Sequence, residues 1–342
     1  MLSRGARPPP SPPTYLATPF GGYSPPKCLR MCEPPPAALS STVPPPPEGE
    51  ERAESGVSQE VISRQLSVIS KKPRVGKRAT GSVIAMDDLT LARQAAHAGA
   101  DIVTSWANRL ESAEFKGVGN PVTEADREAE RAIISLISDH RPDDEIVGEE
   151  GASKEGTSGR RWLVDPLDGT VNFLHGFPHV SVSIAVEDDH GGVAGVVRDV
   201  FRNEEFAASR GGGAEFDGKP MHVAGRTDLA NALIATGFSY DRQERGVEYG
   251  RVLGEMLGVV RGIRRGGSAA LDFAWVACGR LDGYWEVRLG PWDVAAGFLL
   301  VTEAGGIITA FDGGTPSHHE CVAANPELHA VLRPAVEAAI KG

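Results

Sequence analysis

The sequence predicts an α+β protein in which an antiparallel-rich first half is followed by a half where strands and helices alternate. The first observation is a pair of stretches with helical spacing of apolar residues, followed by short apolar segments joined by turns. The second is a change of rhythm after about residue 220, where strand-like and helix-like segments alternate. The third is that 15 of the 25 prolines lie before residue 48, which separates an N-terminal extension from the folded part.

Residues 1–85 differ from the rest of the 342-residue chain in charge and composition. They carry a net charge of +5, and because the whole chain carries −11, residues 86–342 carry −16. The proline blocks at residues 34–36 and 44–47 favour extended conformations, and few apolar residues remain to build a core. We expect a disordered extension that ends at a candidate start, Met86. A transit peptide and a proline-motif ligand or nucleic-acid arm are the alternatives.

Two helices are predicted at the start of the folded part. Asp87 and Asp88 suit the N-cap of the first helix, and Gly99 interrupts it at some cost. Its apolar stripe recurs every three or four positions at Leu91, Ala95, Ala98, Ile102, Trp106 and Leu110. The second helix is predicted over residues 123–140, and a loop is expected before it over residues 116–121.

Strands and further helices follow in order along the chain. The first strands are predicted at residues 145–148, 162–164, 180–186, 192–200 and 205–208. Their connections are too short for crossovers, so this sheet is expected to be largely antiparallel. Later strands are predicted at residues 232–236, 283–286 and 307–310, and later helices at residues 247–260, 268–278, 294–304 and 326–340. The change of rhythm divides the folded part into sub-halves of about residues 86–219 and 220–342.

Acidic residues stand at the ends of two predicted strands. One strand runs directly into Asp165 and Asp168, and another runs into Glu149. Carboxylates that converge in a low-dielectric cleft repel one another, and a hard cation such as Mg²⁺ removes the repulsion because it prefers oxygen ligands. Gly169 and Thr170 add backbone N–H groups that suit a phosphate. The pattern therefore points to metal-assisted hydrolysis of a phosphate ester.

Each of these motifs also has an ordinary structural explanation. The Asp-Gly-Thr sequence at residues 168–170 is common in turns, and Glu149 could be part of a solvated acidic pair. Thr123 and Asp126 have the spacing of a capping box, and Asp293 suits the N-cap of the helix that follows it. The occurrence of four such acidic motifs in one chain favours the functional interpretation.

Four sequence blocks together resemble the inositol monophosphatase family, which belongs to a lithium-sensitive, magnesium-dependent phosphatase superfamily. The blocks are residues 120–126, 148–150, 162–173 and 292–297, and the likeness spans about residues 87–340. The bacterial members are the most similar. The resemblance implies an αβαβα layered sandwich and a catalytic domain over residues 86–342, which agrees with the two halves described above.

The resemblance also implies roles for individual residues. The metal ligands for two to three Mg²⁺ ions would be Glu149, Asp165, Leu167 (through its carbonyl), Asp168 and Asp293. The catalytic residues would be Thr170, Asp126 and Glu149, with the first two orienting a water for in-line attack on phosphorus without a phosphoenzyme. The amides of Gly169 and Thr170 would bind the phosphate.

The substrate implied by the resemblance is a polyol phosphate, inositol 1-phosphate. Glu286, seven residues before the last metal-binding acid, would bind ring hydroxyls, and Asp168 and Ala269 would contact the ring. Histidinol phosphate and fructose 1,6-bisphosphate are alternative esters, and a non-catalytic regulatory or RNA-associated binder is the alternative of a different class. Lys116 lies one residue nearer the following block than the family's lysine does. Arg265, like Arg264 before it, is either a solvated strand end or a contact with substrate or a partner subunit.

Composition bears on location and partners. The acidic folded part argues against broad nucleic-acid affinity, and no run of 18 apolar residues suggests a membrane span. The four scattered cysteines suit a reducing compartment. We therefore expect a cytoplasmic enzyme that takes a small phosphate ester, with organelle targeting through the extension as the alternative. The resemblance implies a homodimer.

Overall fold

The computed structural model describes residues 86–107, 114–117 and 120–342, and of residues 114–117 and 120–122 only the backbone. The predictions for residues 1–85, for Leu110 and for the Lys116 side chain lie outside the described part. Within that part no helix is long and apolar enough to cross a membrane.

Fifteen strands of the described part form an eight-stranded sheet, a five-stranded sheet and a hairpin. The hairpin consists of β1 (Glu114–Gly117) and β2 (Asn120–Val122). The large sheet contains β3 (Glu145–Gly148), β4 (Ser153–Lys154), β5 (Arg161–Asp168), β6 (Ser181–Asp188), β7 (Gly191–Asp199), β8 (Glu204–Ser209), β9 (Gly213–Phe216) and β10 (Lys219–Pro220). The small sheet contains β11 (Leu233–Thr236), β12 (Gly262–Arg264), β13 (Gly283–Val287), β14 (Ile307–Thr309) and β15 (Glu320–Ala324).

The order of the strands agrees with the predicted change between the halves. The large sheet runs β10-β9-β8-β7-β6-β5-β3-β4, and its only parallel pair is β3 with β5. The small sheet runs β12-β11-β13-β15-β14, with β11 parallel to both of its neighbours and β15 antiparallel to both of its own. The prediction of a largely antiparallel first sheet is therefore confirmed.

The described part has seven α-helices, and all but the short third one lie in three layers around the two sheets. The seven are α1 (Asp88–Trp106), α2 (Glu124–His140), α3 (Thr170–Leu174), α4 (Arg242–Leu257), α5 (Ala269–Ala277), α6 (Pro291–Glu303) and α7 (Pro326–Lys341). Helices α1 and α2 pack on one face of the large sheet, and α5 and α6 fill the space between the two sheets. Helices α4 and α7 cover the outer face of the small sheet. The predicted αβαβα sandwich is confirmed.

Alternating residues of β5 show how the layers are held together. Trp162 and Val164 point into the core with α1 and α2, whereas Leu163 between them points into the core with α5 and α6. All three are buried, so the strand has no solvated face. This explains why it is a continuous apolar run rather than an alternating one. The strand ends at Asp168, so the residues that follow it start between these two cores.

Several predicted elements were wrong in extent or type. The expected loop over residues 116–121 is part of the β1–β2 hairpin, and the short strands β4, β9, β10, β12 and β15 were not predicted. Helix α4 begins at Arg242 rather than at residue 247, because its first turn is polar and has no apolar period to detect. The buried face of α1 is rotated from the predicted stripe and contains Gly99, where a Cβ would lie 2.7 Å from Ile133 Cδ1. The apparent interruption is therefore a close approach of α1 to α2.

Candidate active site

One cavity of about 490 Å³ collects most of the predicted site residues. Those that line it are Glu149, Asp165, Leu167, Asp168, Gly169, Thr170, Ala269, Glu286 and Asp293. They come from the end of β5, the start of α3, the start of α5, the end of β13 and the start of α6, and from the loop after β3. Asp126 does not line the cavity and lies fully buried behind it. Segments up to about 140 residues apart in sequence therefore meet at one place.

The end of β5 carries a β-bulge that sets the direction of two carboxylates. The strand predicted over residues 162–164 continues through Asp168, so the acids lie within it rather than after it. Asp165 pairs with Ser183 and Asp168 pairs with Ser181, so three steps along β5 correspond to two steps along β6. In a regular strand residues three apart point to opposite faces, and the extra residue brings them to the same face. Pro166 suits the bulge because it has no N–H to place in the ladder.

Asp165 is the most deeply buried acid of the cavity, with 1% of its surface exposed. Its Oδ1 accepts a hydrogen bond from the Leu167 N–H at 3.0 Å, and its side chain is hydrogen-bonded to that of Glu149. Burial raises the pKa of Asp165 well above its usual value, and the charges of Glu149, Asp168 and Asp293 raise it further. Without a cation, neighbouring carboxyls of this kind share protons instead of all being ionised.

Asp168 is bound to the first turn of α5. Its Oδ2 accepts hydrogen bonds from Ser268 Oγ at 2.6 Å and from Ala270 N at 2.8 Å, and its Oδ1 accepts a longer one from Ala269 N at 3.3 Å. Burial raises the pKa of Asp168, and these donors oppose the shift. The contact fixes the start of α5, and therefore Ala269, against the end of β5.

Asp293 occupies a different position in its helix from the one predicted. Helix α6 begins at Pro291 with Gly290 as N-cap, so Asp293 is the third residue of the helix and not the N-cap. Its Oδ2 accepts a hydrogen bond from Gly290 N at 2.7 Å. Burial raises the pKa of Asp293 well above its usual value, as do the charges of Asp168 and Glu149. Proline at the first helical position explains the earlier start.

Asp126 combines the structural and the catalytic interpretation of its motif. Its Oδ2 accepts hydrogen bonds from the backbone N–H of Thr123 at 2.8 Å and from the Thr123 hydroxyl, which completes the capping box of α2. Its Oδ1 is 3.3 Å from Thr170 Oγ1, which also lies 3.2 Å from the Leu167 carbonyl oxygen. Burial raises the pKa of Asp126 to about 6. The carboxylate therefore connects the buried end of α2 to a hydroxyl in the cavity wall.

Glu286 lines the same cavity from the end of β13. It is 8% exposed, and its Oε2 accepts a hydrogen bond from the Tyr284 hydroxyl. Burial raises the pKa of Glu286 to about 7. A Cβ on Gly237 would lie 2.0 Å from Glu286 Oε2, so any side chain at this position would displace the carboxylate.

Sequence reasoning missed several residues of the cavity wall. Tyr240 and Arg242 line it, and the Arg242 guanidinium lies 5.6 Å from the centre of the Tyr240 ring. Ser268 also lines it and holds Asp168, and its position directly before a predicted helix was a signal for a capping role. Of the two adjacent arginines, Arg265 lines the cavity and Arg264 does not. No sequence pattern distinguished them.

The donor set fits a hard cation. Five acids line one cavity. The charges of Glu149 and Asp168 raise the pKa of both Asp165 and Asp293, which is the condition that bound positive charge relieves. In the described ranges no three acidic, histidine or cysteine side chains are already arranged as a metal cage. The side chains are instead bonded to each other and to backbone N–H groups, so a cation would draw their remaining oxygens together.

The layered fold and the acidic cavity define the protein as a phosphatase, a hydrolase of phosphoric monoesters. The model of the inositol monophosphatase family matches residues 86–341, and the chain belongs to this family. Members of the family are generally metal-dependent.

Proteins named inositol-1-monophosphatase and SuhB are among those similar to this chain. An inositol-1-monophosphatase from Rhizobium meliloti is 46% identical over 201 residues, which are 58% of this chain and 76% of that protein. Nus factor SuhB from Pseudomonas aeruginosa is 43% identical over 232 residues, which are 66% of this chain and 86% of that protein. The crystal structure of extragenic suppressor protein SuhB from Bartonella henselae superposes with a TM-score of 0.70 at 38% identity, over 72% of this chain and 97% of that one.

Proposed function

We propose that this enzyme hydrolyses inositol 1-phosphate to inositol and phosphate, with Mg²⁺ as its cofactor. The observation that carries the proposal is the meeting of Glu149, Asp165, Asp168 and Asp293 around one cavity, with the pKa of Asp165 and Asp293 raised by the neighbouring charges. We further propose that the catalytic domain spans residues 86–342 and forms a homodimer in the cytoplasm, with residues 1–85 as an extension outside it.

Five residues would hold two to three Mg²⁺ ions in this proposal: Glu149, Asp165, Leu167 through its carbonyl, Asp168 and Asp293. When bound, Mg²⁺ would lower the pKa of the attacking water and offset negative charge on the leaving oxygen. Asp165 supports this role because it is buried among the other carboxylates and has few protein donors of its own. Asp168 and Asp293 each accept backbone N–H groups, which hold their side chains in place.

Thr170 and Asp126 would prepare the water in this proposal. The single hydroxyl proton of Thr170 can point to Asp126 Oδ1 or to the Leu167 carbonyl. When it points to Asp126 Oδ1, Thr170 Oγ1 can accept a hydrogen bond from a water in the cavity, and the water's proton can pass to Oγ1 as the hydroxyl's own proton passes to Asp126. Asp126 is ionised above about pH 6 and can then take up that proton through Thr170.

The substrate would lie between the bulge of β5 and Glu286. Helix α3 begins at Thr170 with Gly169 as its N-cap, and the first N–H groups of a helix have no acceptor within it and so suit the phosphate oxygens. Asp168, Ala269 and Glu286 would contact the polyol, since all three line the same cavity. Glu286 would also suit an ammonium group, and this keeps histidinol phosphate as an alternative substrate.

Relatives that are named Nus factor SuhB support a second candidate function, a regulatory binding role. The two functions differ in one readily measured property, because a binder need not release phosphate. A panel of inositol 1-phosphate, histidinol phosphate and fructose 1,6-bisphosphate, compared by kcat/KM in Mg²⁺, tests both the reaction and the choice of ester. Absence of release from every ester would favour the binding role.

The Asp165→Asn variant tests the acidic site directly. It keeps the acceptor for the Leu167 N–H but removes one carboxylate charge, so we expect kcat to fall by about a hundredfold or more. Asp189→Asn is the matched control, because Asp189 is exposed in the β6–β7 turn and does not line the cavity. Normal turnover by Asp165→Asn, with the control also normal, would contradict the assignment.

A further inference from the structure

A second cavity of about 190 Å³ lies behind the wall of the active-site cavity. It is lined on one side by a face of α4, where Arg245, Tyr249 and Val252 recur at helical spacing, and on the other by Trp285 and Phe311. Trp285 and Phe311 belong to the core between the small sheet and helices α4 and α7. The cavity is therefore on the opposite face of the small sheet from helices α5 and α6.

The lining is predominantly apolar and aromatic. Phe238, Tyr249, Trp285 and Phe311 contribute rings, and Val252, Leu253 and Ile340 contribute aliphatic groups. Cavities of about 150 Å³ with apolar walls hold one benzene ring, so a volume of about 190 Å³ suits one ring with a small substituent. The two arginines of the lining are already paired, Arg245 with Glu248 and Arg288 with Asp241. A strongly anionic ligand would thus gain little there.

One polar group of the lining lacks a partner. The Nε–H of Arg245 is buried and has no hydrogen-bond acceptor within the described part of the chain. One of its two terminal nitrogens, Nη2, is bound to Glu248, which holds the guanidinium in place and leaves the Nε–H without an acceptor. A buried donor without an acceptor costs free energy, and an oxygen atom on a ligand would recover it.

We propose that this cavity binds a small aromatic molecule of one ring that carries a hydrogen-bond acceptor, and that binding there changes the affinity of the active site for its phosphate ester. The ring would pack between the aromatic side chains of α4 and β13, and the acceptor would take the Arg245 Nε–H.

The wall between the two cavities is thin and supplies the coupling. Gly237, Phe238, Glu286 and Arg288 line both cavities. Alternating side chains of β13 point to the two sides, since Tyr284 packs with α5 and α6 whereas Trp285 packs with α4 and α7. Glu286 Oε2 also lies against Gly237, where a Cβ would come within 2.0 Å of it. A ligand that displaces Trp285 or Phe238 therefore acts on Glu286 with little to absorb the movement.

The test uses 4-fluorobenzamide as probe and the full chain as protein, with binding followed by ¹⁹F NMR. We expect saturable binding with a Kd of about 1 mM or tighter, which corresponds to ordinary efficiency for a ligand of this size. Leu253→Trp should fill the cavity and weaken binding at least tenfold, because Leu253 lines it. Leu257→Trp is the matched control, since Leu257 lies one turn further along α4, is 54% exposed and does not line the cavity.

Several outcomes would overturn the proposal. Non-saturable binding, or binding retained by Leu253→Trp, would each exclude this cavity as the site. If Leu253→Trp fails to fold by circular dichroism, the smaller change Leu253→Phe takes its place with the same criterion. Binding is read without turnover and does not depend on the function proposed above. Saturating probe should also change KM for the ester at least twofold in the wild type and not in the filled variant, and an unchanged KM would refute the coupling.

Discussion

Single carboxylates in this protein serve a helix and a cavity at the same time. Asp126 completes the capping box of α2 with one oxygen and reaches Thr170 with the other. Asp293 binds the N-cap backbone of α6 and also lies among the acids of the cavity. A carboxylate has two oxygens and about four lone-pair directions, so a cap uses only part of its capacity. The structural and the functional interpretation of these motifs were therefore never exclusive, and sequence spacing alone could not reveal this.

Removing the Thr170 hydroxyl tests whether this group positions the attacking water, because the other side chains of the site stay unchanged. Thr170→Val keeps the shape of the side chain but leaves Asp126 Oδ1 without this partner and the cavity without the hydroxyl. We expect kcat to fall by about a hundredfold or more, within the range for lost general base catalysis, while KM changes less than threefold. Thr170→Ser, which restores the hydroxyl, should recover most of the activity. Equal kcat values for the Val and Ser variants would show that the hydroxyl has no such role.

At the scale of elements, apolar periodicity predicted where helices and strands lie. It did not predict the β-bulge and the helix start that set the direction of the side chains at their ends. Residues 145–148 were predicted as a strand with the bounds that the structure has. The bulge at the end of β5 was not predicted, because its cause is the register with β6, a partner that local sequence does not specify. The early start of α6 was missed because Pro291 and Trp292 carry no helical period. The sequence thus indicated which acids are candidate site residues, but not that their side chains point into one cavity.

Asn172 joins two elements that must keep a fixed distance. From α3 its Nδ2 donates hydrogen bonds to the His179 carbonyl at 2.8 Å and to the Gly266 carbonyl at 2.9 Å. The second bond connects the segment after Gly169 to the segment before Ala269. Asn172→Asp would replace the shared donor by an oxygen that faces two carbonyls, so it should lower kcat/KM about tenfold or more, and beyond the effect of Asn172→Ala.

The control for this link is Asn203→Asp, because Asn203 is exposed in the β7–β8 turn and does not line the cavity. Steady-state kinetics on inositol 1-phosphate with thermal melting of each variant distinguishes positioning from unfolding. If Asn172→Asp and Asn172→Ala lose only stability and keep their kcat/KM, the link is structural and does not position the site.

At the scale of the whole molecule, the layers explain why the cavity is where it is. Helices α5 and α6 lie between the two sheets. The first turn of α5 is hydrogen-bonded to Asp168 at the end of β5, and Asp293 in the first turn of α6 lines the same cavity. The alternation of segments after residue 220 predicted an α+β fold with two unlike halves, and the resemblance to the inositol monophosphatase family implied the layered architecture. The second cavity could not be predicted in the same way, because it arises from an imperfect fit of α4 on the small sheet, and a packing gap has no sequence signature.

The stability of the whole metal-free protein should depend on pH through the buried acids. The pKa of Asp165 is raised in the folded state by burial and by neighbouring carboxylates. Between the unfolded and the folded pKa the native state binds more protons, so the unfolding free energy falls as pH rises. In EDTA, Asp165→Asn should therefore lose less stability than the wild type between pH 5 and pH 8, and be more stable by about 1 kcal/mol or more at the higher pH.

Excess Mg²⁺ should reverse that order, because the wild type gains stability from a bound cation that the variant holds more weakly. Urea unfolding followed by fluorescence at both pH values, with and without Mg²⁺, measures all four conditions. Asp189→Asn again serves as control, since an exposed acid should leave the pH dependence unchanged. Parallel curves for the wild type and Asp165→Asn in EDTA would mean that Asp165 is not electrostatically strained, and the argument for a cation at this cavity would lose its physical basis.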